Sequence, residues 1–420
     1  MFTKTLISNS PIYIFMGIWA AVFGLNSLNL YPFEKIGFEA LSILIGGILS
    51  VIIGYAIMSF ALQGNGKDQL RDLSHFKAYF YGDSLRIVTI ISMIIFLLGG
   101  LGSLLVISDL VGGVQMYILN PLIVRGTVVA IQMNQVEGVP LLYKLSGFFI
   151  SIGLLSNMFG GALAAKGGKH KFIAYLPILV SLVVSLVFMR RYSFITGLIL
   201  WVLANIFVSI VLDDKKMMKL RRKIVRIVVV LFLIVFVFNY VVVHARSFNR
   251  DDIDEYFYES LYSYFVGNMS SFEVWLSDPN DPIVHTYGQT TFRDFYKWAA
   301  RLGLWADKDV RTIHQDFTRI GHKRYINTYT FVKAMYEDFN ITGVLLLSLI
   351  WGAGAKWLMY RYLTKPTYIT LFSAIIISFS LFMSFFSFYF RNMIVIVFWL
   401  IVLNVIQVVI RKNYYNRLIS

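Results

Sequence analysis

Long apolar runs separated by short polar turns repeat along nearly the whole chain. A helix needs about 20 such residues to cross roughly 30 Å of hydrocarbon, where no water is present to pair its backbone groups. Stretches near 11–31, 38–63, 86–107, 140–165, 172–189, 192–212, 224–243, 339–360, 368–389 and 393–410 meet that requirement. Only Met189-Arg190-Arg191-Tyr192 parts the fifth from the sixth, which also allows a tight helical hairpin. The pattern lapses in two longer places. Residues 108–139 form a medium segment of amphipathic character, and 244–338 form a segment long enough for a domain. The expected organisation is therefore 1–243 with seven spans and an outer loop at 108–139, then 244–338 as a large extracytoplasmic loop, then 339–420 with three spans.

Composition agrees with the pattern. Of 420 residues, 58% are apolar and 15% charged, with a mean hydropathy of +0.69, which excludes a water-soluble globular protein. The absence of cysteine removes disulfides, thiolate metal sites and cysteine nucleophiles. A net charge of +15 raises the question of nucleic acid, but most of the basic residues lie in short turns between apolar runs. Lys4, the stretch from Lys67 to Arg86, Lys166 to Lys171, Lys215 to Arg226, Arg361, Lys365 and Arg411 to Arg417 all fall on one side of the expected membrane. Cytoplasmic loops carry that excess, so both termini are expected inside, with the lipid bilayer as partner and no nucleic acid. The first apolar run is too long for a cleavable signal and lacks a small-residue cleavage site before the second. No carboxylate falls near a midplane, and Lys356, near a cytoplasmic span end, is placed to snorkel, so coupled transport loses support.

Chemistry concentrates on the opposite side. Arg190, Arg191 and Arg391 lie in tight outer turns and Arg125 lies within 108–139, against the orientation rule. A guanidinium offers a planar fork of donors that matches phosphate oxygens, so these side chains are candidate ligands for a lipid diphosphate; snorkelling to headgroups is the plain alternative. The large loop opens with Tyr256, Phe257, Tyr258, Tyr262, Tyr264, Phe265 and Trp275, where Tyr258, Tyr262 and Phe265 share a helical face. Such rings pack cores or interfaces and also suit the C–H faces of sugars. In His285-Thr-Tyr-Gly-Gln-Thr-Thr-Phe292 and the residues that follow, Thr291 and Asp294 fit a capping box ahead of a short helix. Phe292, Phe295, Tyr296 and Ala299 would form its apolar face, and Arg293, Lys297 and Arg301 a basic stripe, solvated or anion-binding. Pro279 and Pro282 mark a turn before it. Asn327-Thr328-Tyr329-Thr330 then leads into Tyr336-Glu337-Asp338-Phe339-Asn340. Thr330 is placed to cap a helix over 331–338 that ends at Asn340, a residue type tolerant of positive φ. Glu337 and Asp338 would reach the outer rim, either to act on a sugar hydroxyl or to cap the junction. The first outer turn, Leu30 to Phe38, carries only Glu34 and Lys35 and so lacks a metal-holding acid pair. The six histidines show no helical metal-ligand spacing, and no zinc, P-loop or nucleophile-elbow signature is present.

The order of these features resembles the Wzy-type oligosaccharide repeat-unit polymerases, which include O-antigen and capsular polysaccharide polymerases. The resemblance rests on Y-x-Y-F-x-G from Tyr262 to Gly267, the H-T-Y-G-Q-T-T-F segment, N-T-Y-T, and Tyr336-x-Asp338-Phe339 ahead of Gly343 and a span. Asn340 stands where the family usually has Gly after Asp-Phe. The resemblance implies an all-α polytopic membrane protein of about ten transmembrane helices with a large, mostly helical extracytoplasmic loop, a GT-C-like arrangement, in a bacterial cytoplasmic (inner) membrane. It also implies a metal-independent, cofactor-free inverting glycosyltransferase that joins undecaprenyl-diphosphate-linked oligosaccharides, with flippase and chain-length regulator proteins as partners. On that reading Asp338, then His285, are the catalytic candidates. Arg125, Arg190, Arg191, Arg293 and Arg391 would bind the diphosphate, and Tyr258, Tyr262, Trp275 and Tyr329 the saccharide. An O-antigen-ligase-like transferase would leave full-length polymer on its lipid carrier when lost. A lipid-linked glycan flippase would leave glycan on the cytoplasmic leaflet.

Overall fold

The computed structural model describes residues 10–63, 83–132, 138–167, 171–188, 192–212, 236–237, 240, 253–278, 283, 285–304, 318–321, 325–387 and 393–419. These residues are almost wholly helical, the one sheet being a two-residue antiparallel pair of Thr318–Arg319 with Tyr325–Ile326. Among them, seven helical stretches are long and apolar enough to cross a membrane: Ser10–Leu28, Phe38–Leu62, Ser84–Leu110, Leu141–Lys166, Ser193–Val211, Phe331–Thr364 and Tyr368–Phe385. The chain is an all-α polytopic membrane protein. Apolar runs expected at 172–189 and 393–410 form helices whose apolar parts, Phe172–Val187 and Val395–Ile410, are shorter. The run at 224–243 lies outside the described residues apart from Phe236, Val237 and Tyr240.

Two compact units share the chain. The first combines 1–71, 258–364 and 376–398, so most of the expected outer loop packs with the first two helices instead of standing as a separate domain. Its core gathers Phe15, Trp19, Phe331 and Trp351, with the Phe331 ring 6.3, 6.0 and 5.4 Å from the other three. Lipid is as apolar as such a core, so packing and polar pairing hold helices together more than water exclusion does. Trp19 donates its indole N–H to Ser384 at 2.8 Å and Trp351 donates to Ser380 at 3.1 Å. Lys356 is buried with its ammonium 5.3 Å from the centre of the Tyr55 ring, which corrects the expectation that it snorkels.

The second unit holds 72–257, 365–375 and 399–420. The amphipathic 108–139 segment forms two helices, Val114–Leu119 and Pro121–Gln132. Tyr117 donates to the Val187 carbonyl at 2.5 Å, and burial pushes its hydroxyl up to about 12, so it stays a donor. The apolar run over 140–165 is two helices, Leu141–Gly153 and Leu155–Lys166. Just past the join, Asn157 donates to Ser181, whose own hydroxyl bonds the carbonyl of Pro177 within the Lys171–Val187 helix. Trp201 and Trp399 bond the carbonyls of Ala174 and Ser151 at 2.8 and 2.7 Å. Each buried indole therefore has an acceptor.

Candidate functional site

In the first unit the motif segments are built around a break in one long helix. Phe331–Thr364 reads as one helix, but Phe339 (φ −137°, ψ 16°) and Asn340 (φ 58°, ψ −162°) are non-helical. Asn accepts a positive φ more readily than most residues, as the sequence suggested, and its side-chain oxygen caps the restarted helix by accepting from the Ile341 amide at 2.6 Å. The sharp fold presses Gly343 against the first part, where a Cβ would stand 2.3 Å from that of Phe339. Glu337 and Asp338 thus end a separate short helix.

Asp338 is fully buried. Its Oδ1 accepts from the Thr290 amide at 3.0 Å and from the Thr286 hydroxyl, and its Oδ2 accepts from the Thr291 amide at 2.5 Å. Those amides converge because Tyr287 and Gly288 both take positive φ, 48° and 99°, a turn that glycine enters without a Cβ penalty. The Thr291 hydroxyl donates to Ala334, so the expected capping box with Asp294 does not form. Phe292 occupies the cap position, with no side-chain cap bond. Thr330 is likewise no side-chain cap. Its carbonyl accepts from Lys333, while its buried hydroxyl has no hydrogen bond among the described residues.

His285 is half-buried, its Nδ1 lying 3.3 Å from the Glu337 carbonyl. A carbonyl only accepts, so Nδ1 carries the hydrogen in this contact, and Nε2 is the acceptor nitrogen of the neutral ring. Glu337 pairs with Lys333 at 3.7 Å, one helical turn back. The Lys333 ammonium also sits 4.8 Å from the ring centre of Trp275 and 4.2 Å from that of Tyr329. A buried cation is stabilised by that combination of carboxylate and ring faces.

The other motifs join the same network. The Ser271 hydroxyl donates to the Thr328 carbonyl at 2.6 Å, the Thr328 hydroxyl to Asn268 at 2.5 Å, and the Asn268 amide to the Tyr264 carbonyl at 2.7 Å. Tyr329 and Thr318 share a short hydroxyl pair. A Cβ at Gly267 would meet Ile320 at 2.8 Å. The four segments quoted for the family resemblance, scattered over 262–343, therefore form one packed body.

The expected site residues divide as follows. Asp338 and His285 are neighbours through Glu337, but Asp338 faces protein donors on every side described. Tyr262 is buried and donates to Leu25 at 3.0 Å, whereas Tyr258 is exposed. One face of both Trp275 and Tyr329 belongs to Lys333. Arg293 is buried and pairs with Asp294 at 3.3 Å, so the basic stripe over Arg293, Lys297 and Arg301 is not a uniformly solvated face; the expected apolar residue Phe295 is exposed instead. Arg125 is half-buried on the Pro121–Gln132 helix of the second unit. Arg190, Arg191 and Arg391 lie outside the described residues. No group of three His, Asp or Glu side chains is placed to hold a metal among the described residues.

The turn after the first helix, whose charges point to no metal site, contributes a further feature. There a cavity of about 290 Å³ opens between residues 26–36 and Tyr262, Val266 and Ser270. The signal available was aromatic: Tyr31 and Phe33 stand alternately on the turn, and Tyr262 closes on both from a distant part of the chain.

Family models, curated proteins and solved structures yield no match to this chain.

Proposed function

We propose that this protein polymerises undecaprenyl-diphosphate-linked oligosaccharide repeat units at the outer face of a bacterial cytoplasmic membrane, with both termini cytoplasmic. The observation that carries the reading is the convergence of Tyr262–Gly267, His285–Phe292, Asn327–Thr330 and Tyr336–Gly343 on a single hydrogen-bonded body beside membrane-spanning helices.

In this account an acceptor hydroxyl of one lipid-linked unit attacks the anomeric carbon of another. The new C–O bond forms as the bond to undecaprenyl diphosphate breaks, and the electron pair leaves with the diphosphate. His285 Nε2, fixed as the acceptor nitrogen by the Nδ1 contact to Glu337, takes the hydroxyl proton. Asp338 is a positioning residue that ties the His285–Thr291 turn to the helix end. Negative charge grows on the leaving diphosphate, so a guanidinium such as that of Arg293, in the same unit as His285 and Asp338, would stabilise the transition state more than the ground state.

The test is removal of the chain from its cells followed by gel separation of lipid-linked glycans. Single repeat units on lipid, with the long polymer restored by the intact gene, support the reading. Full-length polymer retained on its carrier would replace it with a ligase-like transfer.

A further inference from the structure

The cavity at the turn over residues 29–37 has the chemistry of a saccharide subsite. Tyr31, Phe33 and Tyr262 form its aromatic wall, with ring centres 5.5 to 6.1 Å apart. Asn26, Asn29 and Ser270 supply amide and hydroxyl groups, which donate and accept as sugar hydroxyls require. Glu34 and Lys35 bring one charge of each sign, so the cavity has no surplus cation for a phosphate. Its volume of about 290 Å³ falls just short of the roughly 300–1,000 Å³ usual for small-molecule pockets, suited to a sugar or two and too small for a prenyl tail.

Construction of the cavity is long-range. The Glu34 amide donates to Ile320 at 3.0 Å, the Gly37 amide to Glu273 at 2.7 Å, and the Tyr262 hydroxyl to Leu25 at 3.0 Å. Asn29 holds φ at 46°, an uncommon conformation for a residue with a side chain, and stands in the lining. Each of these ties fixes the turn against the motif-bearing body.

We propose that this cavity binds an uncharged stretch of the lipid-linked saccharide, with a sugar C–H face on the half-buried Tyr31, which the buried Tyr262 backs, and hydroxyls on Asn26, Asn29 and Glu34. The identity of the glycan rests on the polymerase reading. Tyr262 and Val266 in its wall belong to one of the motifs on which that reading stands, whereas the rest of its lining, residues 26–36 and Ser270, carries none of them.

Saturation-transfer NMR on the full chain in lipid nanodiscs tests it. The probe is the free oligosaccharide released by mild acid from the cells' own lipid-linked glycan. The expected result is saturation of ring C–H protons, with binding about tenfold weaker in Tyr31→Ala, the loss expected for one aromatic platform. Asn29→Gly, which keeps the positive φ and removes only the amide, also weakens it, and inorganic diphosphate does not displace the sugar. No saturation in the intact chain, undiminished binding in both variants, or displacement by diphosphate would overturn the subsite. Deletion of the gene separates the two claims. Polymer lost on deletion, with binding indifferent to Tyr31 and Asn29, sinks the subsite alone. Long polymer surviving deletion, with Tyr31-dependent binding, sinks the polymerase reading and leaves the subsite standing.

Discussion

The Thr291 amide and the Asp338 carboxylate, 47 residues apart in sequence, meet at 2.5 Å in a fully buried position. With the Thr290 amide and the Thr286 hydroxyl on the same carboxylate, this one side chain fastens the histidine-bearing turn to the end of a helix. Buried amides that lose such an acceptor bear the full cost of desolvation.

Asp338→Ala is therefore expected to destabilise the first unit by roughly 3–5 kcal/mol, as two buried amides and a hydroxyl lose a charged acceptor. Asp338→Asn retains one carbonyl oxygen and should lose less. Thermal unfolding of the purified chain in nanodiscs measures both. Unchanged melting together with lost polymer would instead give Asp338 a direct part in the reaction.

His285→Gln keeps a polar side chain near the Glu337 carbonyl but has no imidazole Nε2. Polymer synthesis should fall by about 10²-fold or more, the range for loss of a general base, while the melting temperature moves little. Lipid-linked repeat units from variant cells, quantified by gel, give the answer. Normal polymer in His285→Gln assigns the proton to another group.

Lys333 lies between the Trp275 and Tyr329 rings and pairs with Glu337 at 3.7 Å. Removing one member of a buried pair strands the other, at a cost of about 3–5 kcal/mol. Lys333→Met and Glu337→Gln should each destabilise, and the double variant should be less damaged than the sum of the two. Strict additivity in this double-mutant cycle would show that the pair is not coupled.

Close backbone approach is the corresponding test for the membrane helices. A Cβ on Gly54 would stand 2.0 Å from the Leu349 carbonyl oxygen, and one on Gly352 would stand 2.0 Å from that of Val51. Small residues at such crossings let two helices touch backbone to backbone. Gly54→Ala and Gly352→Ala should each sharply reduce folded protein in the membrane, whereas Gly17→Ala, with nothing within 4 Å, should not. Fluorescence-detected size-exclusion chromatography compares them, and equal yields would contradict the packing.

The spans were legible because apolar runs end abruptly. Sequence bounds of 38–63 and 86–107 correspond to helices Phe38–Gln63 and Ser84–Leu110. The break at Asn340 was also readable, since that residue type admits positive φ. Long-range competition was not readable. Thr291 and Asp294 form a sound local capping pattern, yet Asp338 takes the Thr291 amide from across the fold and Ala334 takes its hydroxyl. Lys333 and Glu337 stand one helical turn apart in any reading, but the rings around the lysine come from Trp275 and Tyr329. The turn over residues 29–37 looked chemically sparse for the same reason: its cavity exists only once Tyr262 arrives from more than two hundred residues away.

Lipid-linked glycans from cells lacking this chain, resolved by length beside those of the parent, bear most directly on the proposed polymerisation. Accumulation of single repeat units with the ladder of longer species gone is the predicted pattern. Long chains at parental abundance would contradict it.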